Sequence, residues 1–195
     1  MKKLIFMFLT TTFILGGCSS EPSQLSTEDI EGLSLEEQTT AIVENAKLFE
    51  DFDLVVKDNS IAVIYPTEYI PDSTLVLDDS KESFPNVAMT LVEHLSVLDA
   101  NEIVITSYEP GELDDLTRVS ALFNKDTIND LDFEDWKENK EKFPQRVYRY
   151  SDSYLIRGNI WEKLDEEIQG EIGNHSKNEI NSESDFWNYY GRIVE

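Results

Sequence analysis

Four carboxylates crowd a short segment of the chain, and side chains of this type and spacing could hold a hard cation. Glu109, Glu112, Asp114 and Asp115 lie around a Pro-Gly pair, and calcium binds clustered carboxylate oxygens. The segment lacks the ordered alternation of a calcium-binding loop, and a chain with 40 acidic residues acquires acidic clusters by chance. These four residues are a calcium candidate, and a solvated acidic loop is the alternative.

Three of the five arginines fall within twelve residues and are interleaved with tyrosines. A planar cation beside aromatic rings suits an anionic or carbohydrate ligand or a protein interface. The alternation predicts two strands around a loop at 151–153, with Arg149 and Arg157 forming a joint positive patch on one face. The alternative is that the arginines pair with neighbouring acids while the tyrosines pack in the core. The ligand-binding candidates are Arg146, Arg149 and Arg157, and the tyrosines are Tyr148, Tyr150 and Tyr154.

Other catalytic patterns are missing from the sequence. It contains two histidines, His94 and His175, and no Gly-rich phosphate loop, Gly-x-Ser-x-Gly, His-x-x-x-His or Ser-x-x-Lys motif. We expect His94 at the boundary of an apolar helix face and His175 in a solvated loop. The sequence therefore predicts no catalytic residue, no metal centre and no cofactor. A cell-envelope hydrolase using paired Asp or Glu is the alternative, and a deep cleft with two facing carboxylates would reveal it.

The amino terminus has the pattern of a secretory signal. Lys2 and Lys3 precede an apolar run from Leu4 to Leu15 and two glycines, and this run of about a dozen residues is shorter than the roughly twenty that span a bilayer. The sequence Leu15-Gly16-Gly17-Cys18 resembles the lipobox of bacterial lipoproteins, although that family often has Ala, Ser or Thr at the position of Gly16. The resemblance covers residues 1 to about 22. It implies cleavage by signal peptidase II before Cys18 and attachment of a diacylglyceryl thioether to that cysteine.

The chain is strongly acidic, with a formal net charge of −24. Removal of residues 1–17 takes away two lysines and no acid, which makes the mature charge −26. Such a charge opposes binding to nucleic acid and to anionic lipid headgroups. The content of 40% hydrophobic and 11% aromatic residues is enough for one ordinary core. We expect a flexible tether over 18–33 and a single domain over 34–195.

Two segments place a helix before strands. Ser34 and Glu37 fit a capping box that opens a helix reaching about residue 50, and apolar runs at 54–56 and 61–65 predict a hairpin in the centre of a covered sheet. An apolar stripe over 84–98 predicts a second helix, followed by a strand at 102–108. A shift of 49 residues aligns the two units as possible copies. The alternative is that any helix leading into a buried strand has this pattern.

A third segment repeats the order of elements, with a charged helix at 132–142 and strands at 146–150 and 154–157. Three rounds of helix-strand-strand order predict an α+β fold, a mostly antiparallel sheet with helices on one face. A further helix is expected from about Asn159. The aromatic cluster at Phe186, Trp187, Tyr189 and Tyr190 is predicted to dock against the core, with a sugar-stacking platform as the alternative.

These features together predict a lipid-anchored lipoprotein on the extracytoplasmic face of the cell membrane. Its domain is expected to be a noncatalytic binding or interaction module of the cell envelope, with a protein or an anionic envelope component as partner and no nucleic acid. Lys, Asn, Ile, Glu and Asp outnumber Ala, Gly and Pro, as AT-rich coding favours, and we take this as pointing to a Gram-positive cell.

Overall fold

The computed structural model describes residues 24–111 and 116–192. The strands are β1 (Asp53–Lys57), β2 (Ser60–Pro66), β3 (Glu102–Glu109), β4 (Leu116–Asn124), β5 (Ser153–Ile156) and β6 (Ser176–Lys177). The helices are α1 (Leu35–Ala46), α2 (Asp72–Val76), α3 (Phe84–Leu95), α4 (Lys125–Asp130), α5 (Phe133–Asn139), α6 (Arg146–Tyr150), α7 (Gly158–Trp161) and α8 (Glu166–Ile172), with a 3-10 helix at Thr27–Ile30 and a π-helix at Trp187–Gly191.

The six strands form one open sheet in the order of the sequence, from β1 to β6. Strands β2 and β3 are parallel, and every other neighbouring pair is antiparallel. Helices α2 and α3 make the crossover that a parallel pair needs. The predicted α+β fold with a mostly antiparallel sheet is confirmed.

The first unit begins as the sequence predicts. Ser34 accepts a hydrogen bond from the backbone N–H of Glu37, whose carboxylate accepts one from the N–H of Ser34 at 2.9 Å. The capping hydrogen bonds from Ser34 lower the pKa of the Glu37 carboxyl. Helix α1 ends at Ala46 rather than near residue 50, because Lys47 adopts a left-handed conformation with φ of 50°. The chain from Leu48 to Glu50 is thereby free to form a loop.

The predicted hairpin is present, but its place in the sheet differs from the prediction. Asp58 and Asn59 have φ of 51° and 62°, as a tight two-residue turn requires. Strand β1 pairs with β2 alone and is an edge strand, and its residues Leu54 to Val56 are half-buried. The prediction that both strands are central is wrong for β1. The apolar residues on both faces of β1 are partly shielded at the edge of the sheet and are not fully buried.

The third helix-strand-strand round is not formed. Residues 146–150, predicted as a strand, are the short helix α6, and the next strand is β5 alone. Val147 and Tyr148 are buried, and the hydroxyl of Tyr148 donates to the carbonyl of Val76 at 2.6 Å. The five residues Arg-Val-Tyr-Arg-Tyr satisfy a helical as well as an alternating pattern, and contact with α3 and with the end of α2 selects the helix.

Two boundaries in the terminal regions also shift. The helix predicted from about Asn159 is two helices, α7 and α8, because Asp165 caps a new one by accepting from the N–H of Ile168 at 2.9 Å. At the amino-terminal side, Ile30 of the 3-10 helix is 2% exposed and packs in the core. Contacts with the domain therefore begin before residue 34, inside the segment predicted as tether.

The two faces of the sheet are covered differently. One face carries the main core, in which α1, α3 and the other α-helices pack on β2 to β5. The opposite face is covered by the π-helix, whose Trp187 lies on Ala62, Val104 and Leu122. The docking predicted for the aromatic cluster is found for Trp187, while Tyr189 is 76% exposed. Among residues 24–111 and 116–192, none of the helices has the length and apolar character needed to cross a bilayer.

Candidate functional site

Of the four residues that form the calcium candidate, the structure describes only Glu109. Glu109 is exposed at the end of β3. Glu112, Asp114 and Asp115 lie outside the described residues, as does Cys18, the predicted lipid anchor. Within the described ranges, no group of three or more His, Cys, Asp or Glu side chains is arranged to hold a metal ion.

The strand pair predicted to place Arg149 and Arg157 on one sheet face is not formed, because residues 146–150 are the helix α6. Arg149 is exposed on α6, while Arg157 occupies the N-cap position of α7 without a capping hydrogen bond from its side chain and is half-buried. Arg146 contacts two residues that precede it in the chain, Asp135 and Phe143. Its Nη1 donates to Asp135 Oδ2 at 2.9 Å and its guanidinium lies 4.6 Å from the centre of the Phe143 ring. For Arg146, pairing with a neighbouring acid is the better description.

A preformed pocket opens at the carboxyl end of β2, and we call it the β2 pocket. Its volume is about 390 Å³, within the usual range for small-molecule sites. Carboxyl ends of parallel strands are frequent positions for ligand sites, and β2 and β3 are the parallel pair. The pocket is lined by Leu48, Phe49, Glu50, Tyr65, Pro66, Thr67, Glu68, Tyr69, Ile70, Glu82 and Val87.

The interior of the β2 pocket is aromatic. The rings of Phe49 and Tyr65 stack with centroids 4.8 Å apart and planes 12° apart, and Phe52 lies against Phe49 at 5.7 Å. Phe49 belongs to the loop that follows the early end of α1, and Tyr65 is the penultimate residue of β2. Tyr69, which is 89% exposed, stands at the rim.

Tyr65, one of the residues that line the pocket, carries a buried hydroxyl. The residue is 2% exposed, and its hydroxyl finds no hydrogen-bond partner among the described residues. Burial raises the pKa of this phenol far above its usual value, against the opposing effect of the Arg118 charge. The hydroxyl therefore stays protonated, and it can donate or accept a hydrogen bond. A buried polar group without a partner is rare in folded proteins and needs an explanation.

A buried arginine fixes the wall of the pocket. The ladder between β3 and β4 pairs Ser107 with Val119 and Tyr108 with Thr117, so Arg118 is the extra residue of a β-bulge. Its guanidinium donates to the carbonyls of Thr67 and Ile70, the latter at 2.8 Å, and pairs with Asp72 at 2.6 Å. Arg118 is 4% exposed. These contacts hold the segment 67–72, in which Thr67 to Ile70 line the β2 pocket.

The charged side chains that line the β2 pocket are all acidic. Glu50, Glu68 and Glu82 are exposed at its rim. An acid catalyst of a hydrolase usually has a carboxyl group in an apolar environment that raises its pKa. Of the Asp and Glu residues in the described ranges, none is fully buried. The arrangement suits attraction of a positive charge to the rim better than it suits proton transfer by a carboxylic acid pair.

Sequence reasoning missed Tyr65 and Arg118. Tyr65 was assigned to a strand without a role, and no local pattern marks a hydroxyl that lacks a partner. Arg118 did carry a signal, because it stands alone in the apolar strand sequence Leu-Thr-Arg-Val-Ser-Ala-Leu-Phe, and a charge in a buried strand implies dedicated partners. His175 is exposed, as expected, whereas His94 is buried at 8% exposure rather than at the boundary of the apolar helix face.

Comparisons of the chain with family models, with curated proteins and with solved structures give no match.

Proposed function

We propose that the protein is a lipid-anchored binding protein on the extracytoplasmic face of the cell membrane, and that its ligand enters the β2 pocket. The lipobox-like sequence ending at Cys18 supports the anchor. The observation that carries the binding role is the preformed aromatic pocket, one of whose lining residues, Tyr65, has a buried hydroxyl without a hydrogen-bond partner in the described structure. A ligand atom that accepts from or donates to this hydroxyl would remove the cost of leaving it unpaired.

The lining of the pocket indicates the class of ligand. Aromatic rings attract cations to their faces, and Phe49, Tyr65 and Tyr69 offer three rings. Glu50, Glu68 and Glu82 add negative charge at the rim, and no lysine or arginine is among the lining residues. An organic cation with an apolar body, such as a substituted ammonium group, matches this lining. The anionic partner expected from the arginine cluster does not fit this pocket.

Replacement of Tyr65 by phenylalanine should change stability and binding in opposite directions. Without ligand, the variant loses a buried hydroxyl that lacks a partner, so its free energy of unfolding should rise by about 1 kcal/mol. Binding of an organic cation should weaken by about 3- to 10-fold, because a hydrogen bond to the ligand is lost. Denaturant unfolding and isothermal titration calorimetry measure the two effects. Tyr189→Phe, at an exposed tyrosine, is the matched control and should change neither quantity.

The charge preference is tested with choline and its neutral isostere 3,3-dimethylbutan-1-ol. Choline should bind more tightly, and Glu68→Gln with Glu82→Gln should reduce this preference, whereas Glu36→Gln with Glu44→Gln on α1 should leave it unchanged. Equal binding of the two compounds would overturn the assignment of a cationic ligand. If Tyr65→Phe lowers stability and leaves binding unchanged, the hydroxyl has a structural role. The binding role proposed for it would then be wrong.

Replacement of Cys18 by alanine should abolish lipid attachment. The thioether needs the cysteine sulfur, and Cys18 is the sole cysteine of the chain, so the variant has no alternative site of this chemistry. Metabolic labelling with a fatty acid should give a labelled wild-type protein whose mature chain starts at Cys18, and an unlabelled, unprocessed variant. Label retained by the variant would contradict the anchor, while leaving the β2 pocket open to the separate tests above.

A further inference from the structure

A second pocket, between α3 and α5, has the opposite electrostatic character to the β2 pocket. We call it the α3–α5 pocket, and it is lined by Lys81, Asn86, His94, Trp136, Lys137 and Lys140 together with Gln24 and Glu93. Three of the eleven lysines of the chain line this pocket. Lys137 pairs with two carboxylates, those of Glu93 and Glu134, which leaves Lys81 and Lys140 without a carboxylate partner among the described residues. In a protein with a net charge of −24, such a local excess of positive charge stands out.

Two of the three lysines that line the α3–α5 pocket are held in place by neighbours. Lys140 Nζ donates to Asn86 Oδ1 at 3.1 Å, and Lys137 Nζ lies 2.6 Å from Glu93 Oε1. The hydrogen bond from Lys137 to Glu93 raises the pKa of Lys137, so that ammonium group stays charged. Lys81 is exposed and forms no ion pair with another described residue. Lys81 and Lys140 therefore have donors available for a ligand.

A histidine provides an independent sign of an unfilled polar position. His94 is 8% exposed, and its Nδ1 is buried without a hydrogen-bond partner among the described residues. Burial lowers the pKa of this imidazole, which leaves one ring nitrogen as donor and the other as acceptor at neutral pH. Trp136, at 3% exposure, forms an apolar wall beside it.

From this geometry we propose that the α3–α5 pocket binds the phosphate group of a small ligand or lipid headgroup. Two ammonium groups supply charge-assisted hydrogen bonds to phosphate oxygens, and the imidazole supplies a neutral donor. The volume of about 260 Å³ accommodates one such group and a few waters, each of which takes about 30 Å³ in the liquid. The α3–α5 pocket shares only Leu48 with the β2 pocket, and none of the polar groups proposed to hold the phosphate lines that pocket.

The phosphate group could belong to a lipid headgroup or to a free ligand, and the position of the pocket bears on this choice. Gln24 donates to the carbonyl of Glu93 at 3.1 Å at the edge of the pocket and follows Cys18 by six positions. Six residues span at most about 20 Å when extended. On the lipid-anchored chain, which is part of the proposed function, the pocket stays near the membrane surface and within reach of headgroups. Free phosphate is the other source.

Residue-resolved acylation of lysines tests the site in the full mature chain held in micelles of a phosphate-free sugar detergent. Inorganic phosphate, compared with chloride at equal ionic strength, should slow acylation of Lys81 and Lys140 about 10-fold at ten times its dissociation constant. Lys57 and Lys142, which lie outside the pocket, are internal controls and should not change. Lys140→Gln should weaken the protection of Lys81 by phosphate about 10-fold, whereas Lys142→Gln should leave it intact.

Vesicles containing phosphatidylglycerol, in the absence of free phosphate, distinguish the sources. Protection of Lys81 and Lys140 on these vesicles assigns the pocket to a lipid headgroup, and protection by inorganic phosphate alone assigns it to a free ligand. Equal protection by chloride, or equal effects on Lys57 and Lys142, would overturn the proposal and leave only nonspecific screening. Loss of the protein from these vesicles would instead count against the lipid anchor, and the phosphate arm is still read in the detergent micelles.

Discussion

Replacement of Leu91 or Leu95 by alanine is expected to lower the free energy of unfolding by about 2 to 5 kcal/mol each. Both side chains are 0% exposed on α3, in the core formed by the sheet, α1 and α6. Each substitution removes apolar contacts and leaves a cavity that close-packed neighbours fill only in part. Urea unfolding followed by circular dichroism measures the change.

Leu33→Ala is the matched control for these two substitutions. Leu33 is 42% exposed, so the same change of side chain should alter stability by no more than about 0.5 kcal/mol. Losses at Leu91 and Leu95 that are as small as the loss at Leu33 would show that α3 does not face the core in solution, and the assigned fold would then be wrong.

Helix α3 was predictable because all the information it needs is local. Its apolar residues recur at helical spacing over three turns, and Ser83, the N-cap, accepts from the N–H of Asn86 at 3.4 Å. Pro85 is tolerated in the first turn, where its missing N–H has no helical partner anyway. The capping residue, the helical periodicity and the length of the segment all indicate the same helix. Local sequence alone therefore predicts this helix without any knowledge of tertiary contacts.

The segment from Arg146 to Tyr150 shows where local information ends. Five residues with buried neighbours at Val147 and Tyr148 fit a strand or a single helical turn equally well. The choice is made by contacts far along the chain, since Tyr148 stacks on Phe84 at 6.4 Å and donates to the carbonyl of Val76. The strand prediction for this segment also placed Arg149 on a sheet face with Arg157, and this arrangement is not formed because Arg149 lies on α6.

The candidate pockets were beyond prediction for a related reason. The β2 pocket combines Phe49, Tyr65, Val87 and the support of Arg118, which are spread over some seventy residues of chain. Its decisive property, a hydroxyl without a partner, is a property of the packed interior and has no counterpart in sequence. The arginine alone could have been recognised, since a charged residue inside an apolar strand must find partners elsewhere.

The face of the sheet opposite the α-helices is covered by one short carboxyl-terminal element, the π-helix. The hydroxyl of Thr106 donates to the carbonyl of Tyr190 at 3.0 Å, and that of Ser120 donates to the carbonyl of Gly191. Trp187 is 0% exposed, and its Nε1 donates to the carbonyl of Glu179 at 3.0 Å. Hydroxyls of the two central strands thus satisfy carbonyls at the end of the π-helix, where helix carbonyls otherwise lack partners.

Gly191 is required by the position of the Trp187 ring. A Cβ at residue 191 would overlap Cε3 and Cζ3 of the indole. The indole is fully buried against Val104 and Leu122, so it cannot move away without opening the packing on this face. Because glycine has no Cβ, the backbone at residue 191 can pass directly over the indole ring.

Trp187→Ala is expected to lower the free energy of unfolding by about 3 to 5 kcal/mol, and Gly191→Ala by about 1 to 3 kcal/mol through overpacking. Gly170→Ala is the matched control, because Gly170 lies in α8 with no atom within 4 Å of a Cβ built there. That change should stabilise the protein by about 0.5 to 1 kcal/mol, since alanine favours a helix interior over glycine. Urea unfolding of the three variants gives the values. If Gly191→Ala behaves like Gly170→Ala and Trp187→Ala is nearly neutral, the π-helix does not cover this face in solution, and the sheet would expose Ala62, Val104 and Leu122 to a partner instead.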